Sequence, residues 1–206
     1  GMIMPIIGHS DERDEKTWRT AATGFPALCG LFPPNVMPEE IMSGSPDRVR
    51  AVMCTQCNPL RSFADTTAYE KAFSNLELLV VCDVAMTETA KLAHYVLPAR
   101  TGYESWDGTF FTWTWPEIYF QMRRLVVEPE GECLELGEIH LRVAEKMGYI
   151  PEIPEALHAA AKENRLKFGM ELMNFAKANP AALKVMPFIV AKTLGREMGS
   201  GNLANL

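Results

Sequence analysis

Two groups of polar side chains in this 206-residue chain follow apolar runs at the points where those runs end. Asn58-Pro59-Leu60-Arg61-Ser62 comes after an apolar stretch that ends at Cys54, and Asp83 with Thr87-Glu88-Thr89 comes after Leu78–Cys82. A carboxylate there can accept hydrogen bonds from a ribose diol or from the N1–H and N2–H₂ edge of guanine, while hydroxyls and backbone N–H groups suit a phosphate. The same residue types also favour loops and helix starts, so a nucleotide site and a set of helix caps are both open interpretations.

The elements around these residues predict a parallel sheet. Strands are expected at Val49–Cys54, Leu78–Cys82 and Tyr95–Leu97, with helices at about 65–74 and 86–92 between them. This alternation is typical of a parallel sheet with right-handed crossovers, and runs that are apolar on both faces suit a sheet covered by helices. Ligands bind beyond the carboxyl ends of such strands, where Asp83 falls. The expected fold class is therefore α/β, with three layers.

Outside this segment the chain predicts an irregular beginning and a helical end. Residues 1–37 contain scattered Pro and Gly, and Thr101–Arg124 is an aromatic-rich stretch that we interpret as a packed loop. Further helices are expected at 38–42, 134–147, 155–164, 165–178 and 181–194, followed by a loose tail from Gly199. The predicted organisation is an irregular segment at 1–37, an α/β domain at 38–150 and a helical extension at 151–206.

Composition excludes several classes of partner. The net charge is −6, so the chain offers no basic field for nucleic acid or for an anionic membrane surface. The longest apolar stretches are shorter than the roughly 18 residues that a membrane span needs. Five cysteines, an odd number, do not make a disulfide framework, and free thiols favour a reducing, cytoplasmic location.

The remaining reactive side chains leave simple alternatives open. Cys54 and Cys57 form a lone C-x-x-C, which is either a redox pair, half of a zinc site or two incidental thiols. His94 precedes an apolar strand and is interpreted as a core histidine bonded to the backbone, with a catalytic base as the alternative. No catalytic residue and no metal ligand set is predicted from these patterns.

The combined pattern resembles a known family. Asn58–Ser62 with Asp65, Val80–Ala90, Tyr95–Ala99, and Glu104 with Gly108-Thr109 occur in the order seen in molybdopterin oxidoreductases of the dimethyl sulfoxide reductase type, which include formate dehydrogenases and nitrate reductases. The resemblance covers about residues 33–148. It implies a Rossmann-like domain that holds one of two molybdopterin guanine dinucleotides, with either molybdenum or tungsten in the parent enzyme.

The resemblance also implies roles for individual residues. Asp83 would hold guanine or ribose, with the Thr87-Glu88-Thr89 turn beside it. The other implied contacts are a phosphate or pterin contact from the loop Asn58, Pro59 and Ser62, and a cofactor groove lined by Glu104, Asp107 and Gly108. The sequence departs from the family pattern on the pterin side, at His94 and from Phe111 to Trp115, and keeps it on the guanine side.

Three parts of the family pattern are absent from the sequence: the amino-terminal iron–sulfur cysteines, the segment with the metal ligand, and the carboxyl-terminal barrel. We therefore expect a fragment of a molybdopterin-dependent oxidoreductase that binds the guanine nucleotide part of the cofactor and is inactive alone. Its partners would be the remaining domains or subunits, and exposed apolar surface predicts self-association. The alternative is a stand-alone nucleotide- or cofactor-binding subunit without catalysis.

Overall fold

The computed structural model of the chain describes residues 18–27, 31–108 and 120–205. It divides into two units, one up to Pro98 and one from Ala99 onward, and each is described by itself. Within the described residues, no helix combines the length and apolar character that a membrane crossing requires. The predicted boundaries after residues 37 and 150 stay a prediction.

The first unit is built on a three-stranded parallel sheet in the order β1-β2-β3. The predicted alternation of strands and helices is confirmed, and the α/β class with it. Its elements are a 3₁₀ turn at Pro34–Val36, then α1 (Met37–Met42), β1 (Ala51–Thr55), α2 (Pro59–Ser62), α3 (Thr66–Phe73), β2 (Leu78–Asp83), α4 (Glu88–Leu92) and β3 (Tyr95–Pro98). The short helix α2 stands where the sequence predicted only a loop, because Pro59 at its first position suits a helix start.

Helix α3 shows how the sequence builds the layer over the sheet. Asp65 adopts a φ of 61° and accepts a hydrogen bond from Ala68 N–H at 3.0 Å, which caps the helix. Tyr69, Ala72 and Phe73 then fall on one face and are fully buried. They join a core that also contains residues of α1, β1, α2, the loop before β2, β2 and α4, namely Ile41, Cys54, Leu60, Leu76, Leu79, Val81 and Ala90.

The described helices of this unit cover one face of the sheet. In the order β1-β2-β3, the chain moves from each strand to the next in the same direction across the sheet. Because both crossovers have the same hand, α3 and α4 lie on the same face of the sheet. Of the three predicted layers, the described residues up to Pro98 therefore supply two. Side chains of the opposite face remain partly open to solvent, as Met53, Leu78 and Tyr95 show.

The second unit combines a short antiparallel strand pair with a helical assembly, which confirms the predicted helical end. Its elements are β4 (Asp107–Gly108), β5 (Met122–Arg123), α5 (Leu136–Lys146), α6 (Glu155–Glu163), α7 (Arg165–Ala178), a 3₁₀ helix (Pro180–Val185), α8 (Met186–Lys192), α9 (Leu194–Met198) and α10 (Gly201–Asn205). Its core is formed by side chains of α6 to α8, among them Leu157, Ala160, Phe168 and Ile189. The single helix predicted at 181–194 is instead divided into the 3₁₀ helix and the short helices α8 and α9. Pro187 lies in the first turn of α8, and Thr193 lies between α8 and α9.

The predicted loose tail from Gly199 is wrong. Ser200 is buried, and Gly201–Asn205 forms α10. Ser200 Oγ donates to the carboxylate of Glu135, and Asn202 Nδ2 donates to Trp106 O at 3.1 Å. The Gly-Ser-Gly composition suggested flexibility, but the buried Glu135 carboxylate needs donors and the tail supplies them. The middle of the aromatic segment, residues 109–119, lies outside the described residues, as do residues 1–17 and 28–30 of the irregular beginning.

Candidate functional site

The turn after β1 is anchored to the neighbouring strand. Gln56 has a φ of 49°, which is uncommon for a residue other than glycine, and its N–H donates to Cys82 O at 2.9 Å. The backbone of this turn therefore stays beside the carboxyl end of β2, and it leads directly into Asn58. The hydrogen bond from Gln56 thus continues the contact between the two strand ends beyond the pairing of β1 with β2.

Asn58 connects the two polar segments through its side-chain amide. Its Nδ2 donates to Glu88 Oε2 at 2.8 Å. Its Oδ1 accepts from Thr89 Oγ1 at 2.7 Å and from Thr89 N–H at 3.3 Å. Thr89 is fully buried, and its Oγ1 also accepts from Leu60 N–H at 3.3 Å. The structure therefore brings Asn58, Glu88 and Thr89 together, as parts of one internal network.

The start of α4 is capped and charged within the same network. Thr87 Oγ1 accepts from Ala90 N–H at 3.2 Å, which makes Thr87 the cap of α4. Glu88 accepts from Asn58 and pairs with Arg61 Nε at 2.9 Å. The Asn58 hydrogen bond and then the Glu88 backbone N–H and Arg61 lower the pKa of Glu88 to about 2. The cap interpretation that the sequence left open thus holds for Thr87, whereas Thr89 lies within α4 and bonds to Asn58 and Leu60.

Asp83 differs from these residues because its carboxylate is only partly engaged. It ends β2 and is half-buried, and its Oδ1 accepts from Val84 N–H at 2.7 Å. Among the described residues, the structure gives this carboxylate no further hydrogen bond. Asp83 therefore presents a fixed acceptor at the carboxyl end of the central strand, where a parallel sheet places its ligands.

The other two residues of the first segment have simpler surroundings. Pro59 is buried at the first position of α2, where its missing N–H costs no hydrogen bond. Ser62 lies at the end of α2 and is exposed, and its N–H donates to Asn58 O at 2.9 Å. This backbone hydrogen bond keeps Ser62 close to Asn58, while the Ser62 side chain is exposed to solvent.

The predicted groove residues Glu104, Asp107 and Gly108 belong to the second unit. Glu104 Oε2 accepts from Thr101 N–H at 2.9 Å and from Thr101 Oγ1 at 2.8 Å, and these bonds lower the pKa of Glu104. Asp107 Oδ1 accepts from Gly108 N–H at 2.8 Å, and its other oxygen pairs with Arg123. Each carboxylate therefore stabilises a local turn or hairpin inside its own unit.

The thiols near the strand ends are not prepared for nucleophilic or redox chemistry. Burial and then the neighbouring Cys57 and Cys82 raise the pKa of Cys54 to about 11. Burial also raises the pKa values of Cys57 and Cys82, with Asp83 adding to both. Reactive cysteines need a lowered pKa, so the structure favours incidental thiols. No group of three or more His, Cys, Asp or Glu side chains suited to a metal ion occurs in the described ranges.

His94 makes the backbone contact that the sequence predicted but in a different environment. Its Nδ1 accepts from Leu79 N–H at 2.9 Å, so the interpretation as a backbone-bonded histidine is confirmed. The side chain is exposed, so its predicted place in the core is wrong. The reason is that His94 lies in the short connection between α4 and β3, before the first residue of the strand.

Two features of the structure were missed by reasoning from the sequence. Arg61 lies 27 positions from its partner Glu88, and no local pattern signals an ion pair at such a separation. A cavity of about 240 Å³ in the second unit, outside the predicted site, was also missed. Its walls come from Arg100, Leu134, Glu135, α5 and the segment Ala191–Gly201, the end of which was predicted as a tail.

The chain is similar to a known family over most of its length. A sequence profile described as molybdopterin oxidoreductase matches residues 19–146. The F420-dependent formate dehydrogenase 2 subunit alpha of Methanococcus maripaludis is 36% identical over 142 residues, which cover 69% of this chain and 19% of that protein. The corresponding subunit of Methanocaldococcus jannaschii is 48% identical over 92 residues, 45% of this chain and 13% of that protein.

A solved structure supports the same relationship. Acetylene hydratase from Pelobacter acetylenicus matches with a TM-score of 0.51 and 28% identity, covering 59% of this chain and 16% of that one. The chain thus spans less than a fifth of the length of these relatives. Because the profile covers more than half of the chain, the protein belongs to the molybdopterin oxidoreductase family.

Proposed function

We propose that this chain binds the guanine nucleotide part of a molybdopterin guanine dinucleotide as one piece of a larger oxidoreductase, and that it is inactive alone. The family supports a molybdopterin cofactor, and formate dehydrogenases are among the relatives. The small share of each relative that the chain covers supports the remaining domains or subunits as partners. The described free thiols, among them Cys54 and Cys82, favour a cytoplasmic location.

The observation that carries the proposal is the partly engaged carboxylate of Asp83. Guanine presents two adjacent donors, N1–H and N2–H₂, and a carboxylate fixed at one oxygen can accept from both. Adenine presents one donor next to an acceptor, so the same carboxylate discriminates against it. Asp83 lies at the carboxyl end of β2, the position that parallel sheets use for nucleotides. The donor and acceptor chemistry of this residue fits the guanine end of the cofactor.

The neighbouring residues support Asp83 in different ways. Asn58 bonds to both Thr89 and Glu88, so it holds the two loops in register and leaves few free donors for a ligand. Ser62 has an exposed hydroxyl next to this network, which suits a phosphate oxygen. We thus assign a positioning role to the network and to the adjoining Pro59 and Thr87, and direct contacts to Asp83 and Ser62.

The groove side of the proposal rests on the family resemblance of the second unit. Glu104, Asp107 and Gly108 would line the cofactor groove in the complete enzyme. The bound cofactor supplies the two-electron chemistry, and the residues of this chain bind and orient its nucleotide end. Without a metal ligand among the residues proposed here, the chain alone is expected to have no turnover.

A thermal-shift titration tests nucleotide binding directly. GMP and GDP are titrated against AMP, with Asp83→Asn as the test variant and Glu70→Ala, an exposed carboxylate on α3, as the matched control. For a Kd of about 1 mM, about 10 mM nucleotide adds roughly 1.4 kcal/mol to the free energy of unfolding, or a few degrees in Tm. We expect this shift with guanine nucleotides, its loss in Asp83→Asn and its retention in Glu70→Ala.

Two outcomes would contradict the proposal. Equal shifts with AMP and GMP would show that the carboxylate does not read the guanine edge. A guanine-selective shift that survives in Asp83→Asn would place the base elsewhere in the chain. Asn replaces an acceptor oxygen with a donor at constant shape, so a loss of binding in this variant cannot be explained by a cavity or by unfolding if its Tm without ligand is unchanged.

A further inference from the structure

The second unit contains a cavity that the proposed function does not use. It has a volume of about 240 Å³ and lies between α5 and the turns on either side of α9. Its charged and polar walls are formed by Arg100, Glu135, Glu138, Arg142, Arg196 and Ser200. The segment Ala191–Gly201 lies beyond the residues 19–146 that match the family profile, whereas Arg100, Glu135, Glu138 and Arg142 lie within them.

The carboxylates of the cavity already have partners. Glu138 Oε1 accepts from Arg142 Nε at 2.8 Å and from Arg196 Nη2 at 3.2 Å. Glu135 is buried, and its two oxygens lie 2.8 and 2.9 Å from Ser200 Oγ. Three arginines face two glutamates, which leaves one positive charge in excess. An anion with a single charge would balance the cavity.

Arg100 has a hydrogen-bond donor that the described residues leave unsatisfied. Its Nη1 lies 3.9 Å from Glu135 Oε1, which is an ion pair but too long for a hydrogen bond. Its Nε is buried and has no hydrogen-bond partner within the described part of the chain. A buried N–H of a charged group costs free energy unless an acceptor satisfies it. The Nε and Nη groups of one arginine also form a planar fork that fits two oxygens of a carboxylate or phosphoryl group.

The wall opposite α5 is held in place by close backbone packing. A Cβ atom added at Gly195 would lie 2.8 Å from Gly201 Cα, so the two turns approach as closely as glycine allows. Gly199 adopts a φ of 74°, which favours glycine in the turn between them. Ser200 Oγ also accepts from Leu203 N–H at 3.1 Å, which fixes its position at the cavity. The cavity is therefore shaped by the backbone and does not depend on flexible surface side chains alone.

We propose that this cavity is a binding site for a small oxyanion, either a free carboxylate or a phosphoryl group. The Arg100 fork binds two of its oxygens, and Arg196 at the rim adds a second guanidinium. Glu135 is fixed by the hydrogen bond from Ser200, and its ion pair with Arg100 Nη1 at 3.9 Å holds that guanidinium in position. Binding satisfies the buried Nε–H and neutralises the excess charge in a single step.

The test is a titration of the full chain with sodium phosphate and with sodium acetate at constant ionic strength, sodium chloride being the reference. The Arg Nε–H signals in ¹H–¹⁵N NMR spectra and the Tm are followed together. Up to about 50 mM anion, we expect a saturable shift of one Arg Nε–H signal, with a Kd on the order of millimolar. The stronger of the two anions identifies the source of the oxyanion, carboxylate or phosphoryl.

Variants assign the signal to the cavity. Arg100→Lys keeps the positive charge beside Glu135 but lacks the fork, so we expect affinity to fall about tenfold. Arg196→Gln at the exposed rim is expected to weaken binding by a smaller factor. Arg165→Gln, an exposed arginine at the start of α7, is the matched control and should bind like the unmodified chain. Asp83→Asn should also leave this binding unchanged, which separates it from the nucleotide site.

Three results would overturn the inference. One is the absence of any saturable response to phosphate or acetate in the unmodified chain, which would mean that water alone satisfies Arg100. The second is that Arg100→Lys and Arg196→Gln both bind the anion as tightly as the unmodified chain does, which would place the anion elsewhere. The third is loss of binding in Asp83→Asn, which would assign the anion to the strand ends of the first unit.

Discussion

Replacing Thr89 with valine removes one hydroxyl from the network that joins the two strand ends. The two side chains have nearly the same shape, so no cavity is created. The hydroxyl of Thr89 donates to Asn58 Oδ1 at 2.7 Å and accepts from Leu60 N–H at 3.3 Å. Thr89→Val removes both bonds and leaves the buried Leu60 N–H without its acceptor.

The expected cost follows from these two contacts. The short bond to Asn58 contributes about 1 kcal/mol, since net hydrogen-bond contributions are roughly 0.5–1.5 kcal/mol. The Leu60 bond is long, but a buried donor without a partner costs about 1–3 kcal/mol, of which we take the lower end. Thr89→Val should therefore lower the free energy of unfolding by about 2 kcal/mol.

Urea unfolding followed by circular dichroism measures this change, and hydrogen exchange at the Leu60 amide locates it. The matched control is Thr193→Val. Thr193 is equally buried, but its Oγ1 donates at 2.7 Å to Ile189 O, a carbonyl that the helix backbone already uses. The control leaves no buried donor unmatched, so its cost should stay below about 1 kcal/mol.

The reasoning would be refuted by a loss below about 0.5 kcal/mol in Thr89→Val, or by a larger loss in the Thr193 control. A double-mutant cycle with Asn58→Ala adds a second check. Because Asn58 and Thr89 share a bond, the two changes should be non-additive by about 1 kcal/mol. Additive effects would mean that the network does not act as a unit.

Three further predictions concern pH, thiol reactivity and packing. The pKa of Glu88 is lowered to about 2 by the Asn58 hydrogen bond first and then by its own backbone N–H and Arg61. The stabilisation that the ionised carboxylate provides is therefore present above its unfolded pKa of 4.5 and is lost as the pH falls toward 2. The difference in Tm between the unmodified chain and Glu88→Gln should shrink over that pH range. Since the pKa of Cys54 is about 11, only about one thiol in a thousand is ionised at pH 8, and mass spectrometry should show iodoacetamide labelling the half-buried Cys57 before Cys54; faster labelling of Cys54 would revive the redox alternative. Gly195→Ala would force a Cβ to within 2.8 Å of a backbone atom and should cost about 1–3 kcal/mol in urea unfolding, and an unchanged midpoint would show that the two turns can separate.

The strands and most helices follow from local patterns in the sequence. Leu78–Cys82 is apolar on both faces and ends at an acidic residue, and the observed strand β2 differs by one residue. The helix that was predicted at about 65–74 is observed as α3 (Thr66–Phe73), with Asp65 as its cap. These elements were predictable because their signals lie within a few residues of one another.

The tail and the site network were harder to predict because their partners are distant in the chain. Ser200 is ordered by Glu135, 65 positions earlier, and composition alone gave Gly-Ser-Gly the appearance of a flexible end. Thr89 and Asn58 were singled out from the sequence as cofactor contacts, which stays a prediction, and their bond to each other spans 31 positions. No local pattern signals such a bond, so which of the predicted residues are engaged internally and which keep free acceptors depends on three-dimensional packing.

The order of the sheet has a consequence for the chain as an isolated molecule. In the part of the chain that the structure describes, β2 pairs on both sides while β1 and β3 each pair on one side only, so the sheet has two edges. Strand β3 is short and ends in Pro98, which cannot donate a hydrogen bond to an added strand. Strand β1 has no proline or charged residue within Ala51–Thr55, and Met53 on it is exposed. Edge-to-edge pairing through β1 is therefore the expected route by which this chain would aggregate at high concentration.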